Sequence, residues 1–97
     1  MDVNIQAIHF DASERLVSFI NRKAERLARR YEAITTLDVT LKVVKPETAM
    51  NKVAVIRAVV PQLDDFVADK TADSFEEAVD LALEAVERQL EKKKSKK

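Results

Sequence analysis

Alternating apolar and polar residues predict four strands along the chain. Val3, Ile5 and Ala7 alternate with polar neighbours, which predicts a first strand over residues 2–10 with one buried face. Residues 37–43 alternate in the same way, and residues 52–60 are rich in β-branched side chains. Prolines at positions 46 and 61 mark the exits of these two strands. A fourth strand is placed at residues 66–71, although aspartates in and before it disfavour sheet.

Two other segments carry apolar residues at helical spacing. In residues 14–31 the apolar positions fall within about 80° of arc on a helix. They are Leu16, Ile20, Ala24, Leu27 and Tyr31. A second stripe consists of Phe75, Val79, Ala82, Leu83, Val86 and Leu90. Each stripe predicts a helix that packs on a sheet.

Polar residues at both helix starts predict caps. Asp11 or Ser13 can cap the first helix. Asp73 or Ser74 can cap the second, with an acid three positions on, Glu76 or Glu77, as the capping-box partner. The lysine-rich tail, residues 92–97, extends this helix or frays from it.

The element order β-α-β-β-β-α predicts an α+β fold. Both apolar stripes must be buried against the same face of the sheet. We therefore expect a two-layer sandwich: a four-stranded mixed sheet with two helices packed on one face. The first helix would be the right-handed crossover between parallel strands one and two. This shape is akin to that of double-stranded-RNA-binding domains. With 97 residues and no linker or repeat, we predict a single domain over residues 1–97.

Composition excludes several classes of function. Glycine is absent, which argues against the phosphate-cradling loops of nucleotide enzymes, and cysteine is absent, which excludes disulfides and thiolate metal sites. The sequence starts with Met1-Asp2 and holds no apolar run of about 20 residues, so we expect neither a signal peptide nor a membrane span, and a cytoplasmic protein. The single histidine, His9, has no partner at triad or metal-ligand spacing. We therefore predict no catalytic site, metal or cofactor.

Formal net charge is zero, with 17 basic and 17 acidic residues, so any nucleic-acid surface requires charge segregation. On the first helix six cations share about 120° of arc. They are Arg15, Arg22, Lys23, Arg26, Arg29 and Arg30. The second helix is split along its length: the acids Glu76, Glu77, Asp80, Glu84 and Glu87 come first, and cations appear from Arg88 onwards. One explanation is a solvated helix face whose charges complement the helix dipole. The other is a phosphate-binding track formed by both helices. The number of arginines favours the second, because arginine suits phosphate better than lysine does.

Few aromatic side chains are available for stacking bases. Phe75 and Tyr31 fall on the apolar stripes, while Phe19 lies about 60° from the centre of its stripe, towards the cations. Phe19 is either a packer at the edge of the core or a stacking platform. Sequence-specific readout of RNA is therefore not expected.

The order and spacing of a set of residues from end to end match a known family. The matching residues are Asn4-Ile5, His9-Phe10, Leu16, Phe19-Ile20, Lys23, Arg26-Leu27, Tyr31, Leu41-Lys42-Val43, Lys45, Asp73, Asp80, Arg88-Gln89-Leu90, Lys92 and Lys94. With them the chain resembles the short ribosome hibernation-promoting factors, which are related to the ribosome-associated translation inhibitor.

This resemblance implies a function. Such domains bind ribosomal RNA (rRNA) in the decoding channel of the small ribosomal subunit, beside ribosomal proteins, compete there with messenger and transfer RNA, and silence translation in starvation or stationary phase. It implies rRNA contacts at Lys23, Arg26, Arg88, Lys92 and Lys94, and at Lys42 and Lys45 of the sheet. To these the helical arc adds Arg22, Arg29, Arg30 and Lys93.

Departures from the family pattern concern turns and one cation. Ala7 and the turn Pro61-Gln62-Leu63-Asp64 lack the usual glycines, and Ala85 replaces a common lysine. The sequence ends soon after the last helix, so we expect it to lack the C-terminal domain of long members. A rival interpretation is a protein–protein module, or a weakly self-associating one, built on a sheet face lined by Val44, Val53, Val55 and Val59. A general binder of double-stranded RNA is a third.

Overall fold

The computed structural model describes residues 1–45 and 49–94 and has the predicted α+β architecture. Its elements are β1 (Asp2–Ala7), α1 (Glu14–Arg30), β2 (Thr36–Val43), β3 (Lys52–Val59), β4 (Phe66–Ala72) and α2 (Phe75–Lys94). The four strands lie in the order β1-β2-β3-β4. β1 pairs parallel to β2, and the other two pairs are antiparallel. This confirms that α1 connects parallel strands and that hairpins follow it.

One hydrophobic core lies between the sheet and the helices. The α1 stripe contributes Leu16, Ile20, Ala24 and Leu27, all buried, while Tyr31 is only half-buried. The α2 stripe is buried as predicted except for Phe75, which is half-buried and stacks on Phe10. Facing them are alternate residues of the strands, among them Leu37, Val39, Leu41, Ala54, Ile56 and Ala58. The helical and strand periodicities therefore identify the core correctly.

Element ends differ from the prediction where the backbone turns. β1 ends at Ala7, three residues before the predicted end, because the chain turns through His9, whose φ is 65°. β3 ends at Val59, one residue early. α1 ends at Arg30, and Tyr31 serves as its C-cap.

Of the alternative helix caps, the serines are the ones used. Ser13 Oγ accepts a hydrogen bond from the backbone N–H of Leu16 at 3.1 Å. Ser74 Oγ accepts from the backbone N–H of Glu77 at 3.2 Å. Asp73 instead accepts from the backbone N–H of Met50 at 2.8 Å, and so ties the β2–β3 loop to the start of α2. The predicted exit at Pro46, and residues 47 and 48 of this loop, lie outside the described residues.

The sheet face opposite the helices is crossed by polar contacts. Asn4 Nδ2 donates to Asp38 Oδ1 at 2.9 Å, and Arg57 Nε lies 3.7 Å from Asp38 Oδ2 and 3.3 Å from Asp65 Oδ2. Of the valines predicted there, Val53 is buried, while Val55 and Val59 are half-buried. Val44 lies beyond the end of β2 and is exposed. These valines do not form a continuous exposed apolar patch.

Within residues 1–45 and 49–94, no helix is both long and apolar enough to cross a bilayer.

Candidate nucleic-acid interface

Helices α1 and α2 lie side by side and run in the same direction. Lys23 Nζ of α1 is 3.1 Å from Asp80 Oδ1 of α2, and Arg30 donates to Glu87 Oε2 at 2.7 Å. Both steps, from 23 to 30 and from 80 to 87, are about two helical turns. The helices are therefore parallel, and their C-terminal ends lie at the same end of the molecule. This direction is what allows the late cations of α2 to approach those of α1.

A narrow groove of about 240 Å³ separates the two helices. We define the interhelical groove by its lining residues Lys23, Arg26, Leu27, Arg30, Asp80, Leu83, Glu84 and Glu87. Three of these carry positive charge, all from α1, and three carry negative charge, all from α2. The groove is thus charge-balanced, because the half of α2 that lies beside the α1 cations is its acidic half.

Arginines on the solvent side of α1 form a row that borders the groove at Arg26. Arg15, Arg22, Arg26 and Arg29 are all exposed, and their spacings of seven, four and three residues keep them on one helical face. We call these four residues the outer arginine row. Among the described residues, no carboxylate lies within ion-pairing distance of any of them. Arg29 lies at the far edge of this row, bordering a hollow that Met1, Val3 and Glu25 also line.

The α2 cations begin where the interhelical groove ends. Arg88 is highly exposed and lies 3.8 Å from Glu84 of its own helix. Lys93 and Arg30 both line one hollow at the shared C-terminal end of the helices, together with Glu32. Lys92 is exposed in the last turns of α2. The side chain of Lys94 and residues 95–97 lie outside the described residues, but α2 itself continues to Lys94 rather than fraying at residue 92.

The two candidates from the sheet are not brought to the helical cations. Lys42 is exposed and alternates with the buried Leu41, so it lies on the sheet face opposite the helices. Lys45 follows β2 with a φ of 48°. Because β2 is parallel to β1, this end of β2 is the end at which α1 begins. Both lysines are therefore far from the C-terminal cations, and their contact with RNA stays a prediction.

Aromatic side chains near this surface support the helices. Phe19 packs against the core at its edge, and the Lys23 ammonium lies 5.4 Å from the centre of its ring. This favours the edge-packing interpretation over a free stacking platform. Arg30 lies 5.6 Å from the ring centre of Tyr31. Burial raises the pKa of Tyr31 above the ordinary 10.0, and the charge of Glu91 raises it further, so the phenol stays neutral at physiological pH.

Sequence reasoning missed the role of Asp80 and Glu87 beside the cations. The signal was present as a matched spacing, since Lys23 and Arg30 are seven residues apart, as are Asp80 and Glu87. The pairing can be predicted only if the two helices are known to be parallel, and a helical wheel of one helix does not show this.

Solved structures of other proteins share the fold, among them the two that follow. A ribosomal subunit interface protein from Coxiella burnetii is 22% identical, with a TM-score of 0.87, covering 99% of this chain and 100% of that one. The N-terminal domain of Thermus thermophilus Protein Y is 16% identical, with a TM-score of 0.77, covering 95% and 98%. No curated protein sequence matches the chain significantly. The sequence matches the family described as sigma 54 modulation protein / S30EA ribosomal protein over residues 3–97. The chain therefore belongs to the sigma 54 modulation protein / S30EA ribosomal protein family.

Proposed function

We propose that this protein is a ribosome hibernation factor that binds rRNA of the small subunit at the decoding channel and excludes messenger and transfer RNA. Association with the ribosome, the coarser part of this function, follows from membership of the S30EA ribosomal protein family. The name of the structurally similar Coxiella burnetii protein, a ribosomal subunit interface protein, agrees with it. Silencing of translation in starvation or stationary phase, and a cytoplasmic location, are parts of the same proposal.

The observation that carries the proposal is the outer arginine row on α1. Four exposed guanidinium groups lie on one helical face, and they have no carboxylate partners among the described residues. Guanidinium groups form paired hydrogen bonds with phosphate and release the counterions condensed on RNA. Arg88, Lys92 and Lys93 add exposed positive charge near the C-terminal end of α2, and the proposal places further phosphate contacts there. A neutral chain thereby acquires one face suited to RNA.

The mechanism is binding without chemistry. Phosphate contacts position a protein on RNA without reading its sequence, and this chain has few exposed aromatic groups to stack on bases. Specificity for one place on the ribosome would then come from the shape of the RNA and the fit of the domain. Once bound, the volume of the domain occupies the path of messenger and transfer RNA, and that steric overlap is the inhibition.

Charge reversal at one arginine tests the surface. Arg26→Glu places a negative charge in the outer arginine row. We expect it to reduce the fraction of protein that co-sediments with purified small subunits by about tenfold or more, at about 100 mM salt. The matched control is Lys70→Glu, which makes the same charge change at an exposed position of β4, on the far side of α2 from α1. Equal loss in both variants, or none in either, would contradict the proposed surface. Thermal unfolding of both variants verifies that each is folded.

Competition tests the place of binding. Small subunits loaded with messenger RNA and transfer RNA should retain less of the protein than empty subunits, because the proposed site is the same channel. A short RNA duplex serves as the comparison for the rival function of general double-stranded-RNA binding. If the duplex binds as tightly as the subunit does, that rival is favoured; if loading leaves retention unchanged, the decoding channel is not the site.

A further inference from the structure

The two ion pairs across the interhelical groove link cations of the RNA-binding helix to carboxylates of its neighbour. Lys23 and Asp80 are 31% and 46% exposed, and Arg30 and Glu87 are 60% and 30% exposed. Each pair therefore lies in reach of water and of an approaching phosphate. Ion pairs at this exposure are weakly held, so an RNA phosphate can replace the carboxylate. In the free protein, however, both cations already have an anionic partner.

Paired and unpaired cations occupy different places on α1. In the outer arginine row, Arg15, Arg22 and Arg29 lie outside the groove and Arg26 borders it, and none of the four has a carboxylate partner among the described residues; Lys23 and Arg30 line the groove and are paired with α2. An RNA strand that approaches α1 from outside meets the unpaired arginines first. To use the groove cations as well, it must place phosphates close to them, and there it also meets three carboxylates, those of Asp80, Glu84 and Glu87. RNA whose shape cannot direct phosphates onto the cations receives repulsion from the carboxylates instead.

We propose that Asp80 and Glu87 are specificity-determining residues that compete with RNA phosphate for Lys23 and Arg30 and so disfavour RNA other than the cognate rRNA site. This inference rests on the proposed function, because it assigns the selectivity of the same surface. The carboxylates weaken binding to every RNA, but the loss is smaller where the RNA supplies phosphates to both cations. Specificity is gained at the expense of affinity, through a repulsive element built into the site.

Another role for the same contacts makes the opposite prediction. If the carboxylates only held Lys23 and Arg30 in the orientation needed for rRNA, their removal would weaken binding to the subunit. If they compete with phosphate, their removal strengthens binding. The sign of the change therefore separates competition from positioning.

The test uses a double variant and a control of equal charge. Asp80→Asn with Glu87→Gln removes both competing carboxylates and keeps the size of the side chains. The control, Asp69→Asn with Asp64→Asn, makes the same charge change at two exposed positions outside the groove, one on the opposite sheet face and one in the β3–β4 connection. Affinities for a short mixed-sequence RNA duplex and for purified small subunits are measured at one salt concentration, about 100 mM.

We expect the groove variant to bind the duplex about 5- to 20-fold more tightly than the wild type, since each exposed ion pair corresponds to roughly 2- to 5-fold. The control should gain about twofold or less. Affinity for small subunits should rise by a smaller factor than affinity for the duplex, so that the ratio between them falls. The inference is overturned if the groove variant equals the control, binds either RNA more weakly, or gains equally on both.

Failure of this inference is distinguishable from failure of the proposed function. If the wild type is retained by small subunits and Arg26→Glu is not, the surface is established whatever the groove variant does. If the wild type is not retained at low salt, the proposed function itself fails, and a tighter duplex complex of the groove variant would then assign the carboxylates to a general RNA binder.

Discussion

Turns without glycine place several residues of this protein in the left-handed region of backbone conformation. His9, Lys45, Met50 and Gln62 have positive φ angles between 48° and 70°. In a non-glycine residue this conformation costs about 1–2 kcal/mol because the Cβ atom approaches the following carbonyl oxygen. Gln62 is the clearest case. The Leu63 N–H donates to the Val60 carbonyl at 3.2 Å, with Pro61 and Gln62 between them, which is the pattern of a type II turn.

Gln62→Gly should therefore stabilise the protein. Glycine adopts the φ of 70° without the Cβ contact, and part of the gain is lost to its greater freedom in the unfolded chain. We expect the free energy of unfolding to rise by about 0.5–1 kcal/mol and the unfolding midpoint by roughly 3–6 °C, measured by thermal and urea denaturation. Asp64→Gly, two residues further along the same connection, is the control and should give no gain, because Asp64 is not in the left-handed region. Equal effects of both substitutions would contradict the assigned turn strain.

At the scale of elements, α1 begins at a single hydrogen bond that the sequence left between two candidates. Ser13 Oγ accepts from Leu16 N–H, and Ser13 itself is extended, with φ −67° and ψ 156°. This geometry satisfies one of the otherwise unpaired N–H groups of the first turn. Asp11 is two residues too early to do the same, although the sequence allowed it.

Ser13→Ala should destabilise the protein by about 1 kcal/mol, because the cap is lost and no neighbouring side chain replaces it. The measurement is urea denaturation followed by circular dichroism. Ser18→Ala is the matched control: Ser18 is exposed within α1, so the same substitution there should be neutral or slightly stabilising through helix propensity. If Ser13→Ala behaves like Ser18→Ala, the cap does not contribute to stability.

The parts of this fold that depend on interactions between residues close in sequence are the parts that can be predicted. The stripe from Leu16 to Leu27 and the alternation of β2 depend only on local period, and both are confirmed. β4 forms despite its aspartates because Asp69 points to the open face, and Asp65 precedes the strand and pairs with Arg57. The turn at His9 has no glycine to signal it, so the predicted β1 is too long.

The candidate site was predictable only in part for the same reason. The outer arginine row is a property of one helix, and its spacing alone places those residues on one face. The interhelical groove is a property of two helices, and its charge depends on which stretch of α2 lies beside α1. The helices are parallel, and the Lys23–Asp80 pair sets which residues lie opposite each other. The acidic residues of α2 therefore lie beside the cations of α1.

At the scale of the whole molecule, zero net charge coexists with a local concentration of positive charge on one helical face. The 17 basic and 17 acidic residues cancel in sum, yet four exposed arginines share the outer face of α1. At physiological ionic strength charges interact over about 8 Å, far less than the 46 Å length of the molecule. An approaching RNA therefore responds to the nearest face and not to the total charge.

Salt dependence of binding tests this directly, because its slope counts the phosphates that the protein neutralises. If about 6 phosphates are contacted, affinity for small subunits should fall about a thousandfold between 50 and 200 mM salt, despite the zero net charge. Each of Arg22→Gln and Arg26→Gln should make the slope of log affinity against log salt shallower by about 1. Lys70→Gln, which removes one charge outside the surface, should leave it unchanged. A flat salt dependence in the wild type, or equal slopes in all three variants, would show that the protein does not bind RNA through the outer arginine row. The slope is the property of binding that scales with the number of cations in contact with phosphate.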